Sequence, residues 1–167
     1  MGKSTSFALF LALLLLCGGG MQGCAAQGDY FDLFRGGFSA ELKGELNGVA
    51  FSALLVATPV DENGARALTV TFYAPQGLLG TVAHRAADGG VTLSVGDVVL
   101  ADAAAKGLAP LFDLFPTTGE VRQVSITEEG YTKVEGDGFA LTFLPDGTPI
   151  RAAGVQITAD VVRFETV

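Results

Sequence analysis

The chain has 167 residues, with 10 Lys and Arg against 18 Asp and Glu, a formal net charge of −8 and a sequence pI near 4.4. One domain fits that length. The acidity argues against a nucleic-acid binder, which needs a basic stripe to meet phosphate, and against electrostatic docking on anionic lipid. The mean hydropathy of +0.44 is high for a soluble domain, and part of the excess sits at the N-terminus.

Residues 1–23 read as an export signal and are set apart from the fold. Lys3 gives the positive start, and Phe7 to Leu16 is an unbroken apolar run of 10 residues. That suits a signal core of about 7–15 residues and falls short of the ~20 of a spanning helix. Both cysteines, Cys17 and Cys24, end this segment, and the rest of the chain has none. A disulfide framework, a cysteine nucleophile and a thiolate zinc site are thereby excluded from the folded domain. Met21-Gln22-Gly23-Cys24 resembles a bacterial lipoprotein signal, in which a Cys after a small residue becomes the lipidated first residue. Gly23 favours Cys24. Leu16 fits the position before Cys17 less well, while Gln22, not a favoured residue of that signal, keeps Cys17 open. Ordinary secretory cleavage near Ala25-Ala26 is the alternative. Cleavage before Cys24 leaves 144 residues at net −9, exported and held on the outer side of a bacterial membrane. About 68% of the unfolded surface of such a chain is buried on folding, enough for a core without staples.

Residues 24–37 read as a tether followed by a short helix or turn, and 38–167 as a single β-rich domain. From Phe38 the period is two: Phe38, Ala40, Leu42 and Leu46 alternate with polar residues, a strand with one wet face. Asn47-Gly48 predicts a type I′ hairpin, and Val49, Phe51, Ala53 and Leu55 resume the alternation. A polar turn at 59–64 leads to a third strand through Leu68, Val70 and Phe72. Weak strand pattern at 81–86, a turn at Asp88-Gly89-Gly90 and a strand at 91–95 follow. Residues 101–115 change period. Asp102 is a candidate N-cap before Ala103-Ala104-Ala105, and Leu108, Leu111, Phe112 and Phe115 share a helical face, interrupted by Gly107 and Pro110. Strands return at 120–127, 131–135 and, after Asp137-Gly138, at 139–143. Pro145 to Pro149 forms a turn, and 150–165 is the last strand. About nine antiparallel strands with one helical interruption result, at the turn spacing of a barrel or sandwich. The tetrapeptide Phe-Asp-Leu-Phe occurs twice, at 31–34 and 112–115, in the two non-β segments. It is either coincidence or a pair of short amphipathic pieces covering something apolar.

Catalytic equipment is sparse. His84 is the only histidine, which starves a triad or a zinc site of ligands, and it reads as a solvent-facing strand residue. Asp61, Glu62, Asp88, Glu128, Glu129, Asp137 and Asp146 fall in predicted turns, where turn preference explains them. No enzyme activity, cofactor or metal is expected. The remaining distinctive feature is 12 Phe with no Trp. These residues either fill a core or line a groove, closed by the helical segment, that takes an acyl chain.

The lipoprotein signal, the paired strands FSAELKGELNGVAFSALLV, the break at Ala74-Pro75 with Leu78-Leu79-Gly80, the helical interruption and the closing Asp146-Gly147-Thr148-Pro149 and ITADVVRFE are similar to the LolA/LolB-like lipoproteins, the lipoprotein-localisation group. The resemblance spans about residues 38–165. It implies an α+β fold, mostly antiparallel β: an unclosed, strongly curved β-barrel covered by a short helical segment, with a cavity for lipid chains between them. The groove residues so implied are Phe51, Leu68, Val70, Phe72, Leu93, Phe112 and Phe115. The implied partners are a lipid or acyl chain and the membrane through Cys24, with protein partners unknown. A structural or protein-interaction lipoprotein with a filled core is the alternative.

Overall fold

A computed structural model describes residues 29–101 and 106–167. The export segment with Cys17 and Cys24, and the predicted helix start at Asp102 to Ala105, lie outside them. Eleven strands form one antiparallel sheet: β1 (Phe38–Leu46), β2 (Val49–Ala57), β3 (Leu68–Ala74), β4 (Val82–Arg85), β5 (Val91–Val95), β6 (Val98–Ala101), β7 (Val121–Ile126), β8 (Thr132–Gly136), β9 (Phe139–Phe143), β10 (Pro149–Gly154) and β11 (Ile157–Thr166). Two short helices accompany them, α1 (Asp32–Arg35) and α2 (Ala109–Phe112), the latter continuing a 3₁₀ turn at Lys106–Leu108.

The spatial order is β6-β5-β4-β3-β2-β1-β11-β10-β9-β8-β7. Every pair of neighbouring strands but one is consecutive in sequence and antiparallel, and the exception is the join of β1 to β11. Its register runs from Phe38 opposite Thr166 to Leu46 opposite Ile157, with a bulge where Glu41 and Leu42 face Arg163 and Val161. The sheet is open, with β6 and β7 at its edges.

Alternation sets one apolar face. Phe38, Ala40 and Leu42 on β1, Phe51, Ala53 and Leu55 on β2, and Leu68, Val70 and Phe72 on β3 are buried together with Val134, Leu141, Ala152, Ala159 and Val161 from the other half. One core shared by β3 and β8 requires the sheet to wrap around it. The predicted Asn47-Gly48 hairpin is present, with φ of 52° and 77° at its two turn residues, as a type I′ turn demands.

The expected strand count rises from nine to eleven. Val98-Val99-Leu100 forms the edge strand β6, and the expected strand 150–165 divides at Val155-Gln156 into β10 and β11. The expected helical stretch over 101–115 is also corrected. Ala101 ends β6, residues 102–105 lie outside the described ones, and the helical turns at 106–108 and 109–112 contain Gly107 and Pro110, the interruptions read from the sequence. Among the described residues helical turns also occur at 76–78 and at 32–35, the latter where a short helix or turn was expected before β1.

Candidate functional site

The two Phe-Asp-Leu-Phe tetrapeptides meet inside the sheet. Phe34 and Phe115, the last residue of each, are buried with ring centroids 5.1 Å apart. Phe34 also packs edge-on against Phe38 of β1 and Phe164 of β11 at 5.7 and 6.1 Å. Leu111, Phe112 and Leu114 complete the buried face of the second segment. Both segments thus lay their apolar side chains on the apolar face of the sheet, which is why neither needs length to be stable.

Arg66 holds the two copies together. Its Nη1 donates to the Phe34 carbonyl at 2.6 Å and its Nη2 to the Phe115 carbonyl at 2.5 Å. These are the same position in each tetrapeptide. Its guanidinium also lies 5.3 Å from the Phe38 ring centroid. Arg66 is 8% exposed. Burial, then the charge of Arg85, lower its pKa to about 10, against a smaller raising effect of Asp113. The orphan carbonyls that follow a helical turn are well matched to a donor fork.

The aspartates of the repeats are paired too. Asp32 accepts from Arg35 at 2.8 Å. Asp113 accepts from Arg85 at 2.7 Å, and Arg85 also donates to the Phe112 carbonyl at 3.1 Å and lies 5.3 Å from the Phe112 ring. Arg35 Nε reaches across to the Thr117 carbonyl at 3.2 Å. At the other end, Asn47 Nδ2 donates to the Gly107 carbonyl at 3.5 Å. The 106–117 segment therefore crosses the apolar face from the β1–β2 turn to the far end of β1. Polar contacts tie it down at both ends and apolar packing holds its middle.

Of the seven residues predicted to form a groove, Phe51, Leu68, Val70, Phe72, Phe112 and Phe115 are brought into this one core, and Leu93 packs half-buried at its margin. Sequence reading missed Arg66 and Arg85, although the period-two pattern carried the signal. Arg66 shares parity with Leu68, Val70 and Phe72, and Arg85 with Thr81 and Ala83, all on the inner face.

A cavity of about 410 Å³ opens beside the clamp, walled by Arg66, Arg85, Ala87, Gly89, Phe112 and Thr117 among others. A second, of about 390 Å³, lies between Tyr30, Leu33 and Phe143. Acids predicted to serve turns do so: Asp61 accepts from the amides of Asn63 and Ala65, and Asp88 from Gly90. The Thr148 amide, bonded to Asp146, holds that carboxyl below the usual carboxylate range. His84, expected to face solvent, is half-buried, with Nδ1 3.0 Å from the Thr69 hydroxyl across β3 and β4. Among the described residues no three His, Cys, Asp or Glu side chains converge on one point, and no helix is long and apolar enough to cross a membrane.

The open, mostly antiparallel sheet is the one that the LolA/LolB-like resemblance implied, while the space between it and the two short segments is filled by their side chains. MucB has a similar structure, with a TM-score of 0.52 and 16% identity over 86% of this chain. This chain spans 60% of MucB's length. A conserved protein of Thermus thermophilus aligns with a TM-score of 0.51 and 17% identity over 83% of each chain. A LolA superfamily protein of Nitrosomonas europaea aligns more loosely, with a TM-score of 0.43 and 6% identity over 80% of this chain and 87% of its own. At these identities the likeness to MucB and to the Thermus protein is one of fold. No family model and no curated protein matches the sequence.

Proposed function

We propose that the protein is an exported lipoprotein, anchored through Cys24 on the outer side of a bacterial membrane, that binds a lipid or other long apolar chain and performs no catalysis. The helical segments act as a cover. In the structure as described, their side chains occupy the inner face of the sheet where the ligand would lie. The single observation that carries this reading is the clamp at Arg66, which joins both tetrapeptides through two hydrogen bonds. Its bonds reach backbone carbonyls alone, so water can replace them when the segments move away.

Magnitudes narrow the ligand. Withdrawing Phe34, Leu111, Phe112, Leu114 and Phe115, all buried, forfeits about 2 kcal/mol per side chain, so roughly 10 kcal/mol in all. Each acyl methylene buried in their place returns about 0.8 kcal/mol. A chain of about a dozen methylenes, or two shorter chains, balances the exchange, and a small apolar molecule does not.

Native mass spectrometry of the protein purified with Cys24→Ser tests the reading. Co-purifying or added lipid of that chain length should be retained, and an uncharged long-chain alcohol should be retained more strongly in Arg66→Met, where the clamp is gone. Failure of both forms to hold lipid overturns it. That failure would favour the second reading, an interaction protein with a filled core, for which the near-complete burial of six predicted groove residues speaks.

A further inference from the structure

Arg66 differs from the other arginines. Arg35, Arg85, Arg122, Arg151 and Arg163 each have a carboxylate oxygen within 3.1 Å. Arg66 is more buried than any of these and has only neutral partners, two carbonyls and a ring. A guanidinium has five N–H donors, and the carbonyls take two of them. Its side chain borders the 410 Å³ cavity, and so does that of Arg85. The cavity wall therefore carries two guanidinium groups and one carboxylate, Asp113, whose side chain is 69% exposed and already engaged by Arg85. On a molecule of net charge −8, the side chains lining this cavity carry one net positive charge, with Asp61, bonded to the Ala65 amide, and Asp88, turned to the Gly90 amide, outside the lining. Two like charges held in a partly dry site, with one solvated counter-charge between them, are incompletely compensated. The hydroxyl-bearing Thr117 and Thr118 and the exposed turn at Ala87 and Gly89 also line it. The volume is that of a small-molecule site.

We propose that this cavity binds an oxyanion, the carboxylate or phosphate head group of an amphiphile, bridging Arg66 and Arg85. Planar forks pair with such groups in two-bond geometry. The phosphate or carboxylate supplies the counter-charge that the wall lacks, and Phe112 and Phe115, which line the same cavity, lead from it to the core. The amphiphile's chain rests on the reading given under Proposed function, and the head-group site can be tested apart from it.

The test uses the purified protein at low salt with inorganic phosphate, dodecyl phosphate and uncharged dodecanol. Calorimetry reads the dodecyl ligands, and phosphorus NMR reads inorganic phosphate. The variants are Arg85→Gln and Ala87→Glu; Ala87 is exposed on the rim, so the new carboxylate enters the site without disturbing the core. Dodecyl phosphate should bind about tenfold more tightly than dodecanol. Both variants should abolish that preference, Ala87→Glu while leaving dodecanol binding unchanged, and inorganic phosphate should compete with dodecyl phosphate only. Equal affinity for the two dodecyl ligands, or a preference that survives both variants, overturns the head-group site and leaves the apolar reading intact. Binding of inorganic phosphate that Ala87→Glu removes, without binding of any dodecyl ligand, upholds the oxyanion site and overturns the apolar reading. Silence with every probe overturns both.

Discussion

Replacing Arg66 by Met keeps an apolar stem of similar reach and removes the guanidinium that joins the two tetrapeptides. Two hydrogen bonds from a charged donor are lost, each about 1.5–3 kcal/mol. The carbonyls of Phe34 and Phe115 are left to find water in a crowded core. Part of this is returned, because the desolvated charge goes too. A net loss of about 3 kcal/mol is expected. For a domain of this size that lowers the melting temperature by about 10 °C and reduces the urea midpoint without changing the slope. Arg66→Lys, a point charge able to reach one carbonyl well, should lose about half as much. Hydrogen exchange supplies the spatial check: amides of 32–35 and 109–118 should exchange faster in Arg66→Met, while those of β1, β2 and β11 keep their protection. A loss below about 1 kcal/mol, or faster exchange spread evenly through the sheet, would refute the clamp and reduce Arg66 to a packing stem over Phe38.

Three further outcomes are expected. Gly44→Ala places a Cβ against the Thr158 carbonyl and 2.6 Å from the Ala159 Cα; since backbone cannot yield there without parting β1 from β11, chemical denaturation should show a loss of about 3 kcal/mol. Cys24→Ser should move the protein from the membrane to the soluble fraction on cell fractionation, and persistent membrane retention would point to Cys17 or another anchor. Alkaline titration probes Arg66, whose pKa of about 10 lies below the ordinary arginine range. Below pH 10 folded and unfolded chains both carry the proton; above it the folded chain releases it first, so this group's contribution rises with pH. The gap in unfolding free energy between the wild type and Arg66→Met should therefore widen above pH 10 by up to about 1.4 kcal/mol per unit, and a flat or narrowing gap would contradict the shift.

Elements marked by a local chemical requirement were legible in the sequence. Asn47-Gly48 and Asp137-Gly138 announced their hairpins because positive φ is cheap there, and Gly48 and Gly138 both have a φ of 77°. The turn between β10 and β11 was missed because its positive φ, 63°, falls on Gln156, a residue with no such preference. β6 was missed for another reason. An edge strand with Val98, Val99 and Leu100 all exposed has no dry face and no alternation to reveal it. The helical reading of 101–115 overran at Ala101, which belongs to β6, and at 113–115, beyond the last helical turn. The apolar residues of the site were legible through their period, whereas the clamp was not. Its two arginines stand at inward parity, but only the packed structure shows that the backbone of two distant tetrapeptides waits there to receive them.

The seam between β1 and β11 bears on the order in which the molecule can assemble. Its partners, Phe38 and Thr166 at one end and Leu46 and Ile157 at the other, are separated by more than a hundred residues, so the centre of the sheet is its least local part. Each half can zip up by successive hairpins, and folding must then await a single long-range docking event, which marks a slow folder. Made at about 5–20 residues per second, the chain beyond β6 takes roughly 3–13 s to emerge. For that interval β1 presents nine residues, Phe38–Leu46, as an unsatisfied edge at the heart of the future sheet. An open edge of that length invites pairing with a neighbouring chain, so the vulnerable moment of this protein comes before its last strand arrives.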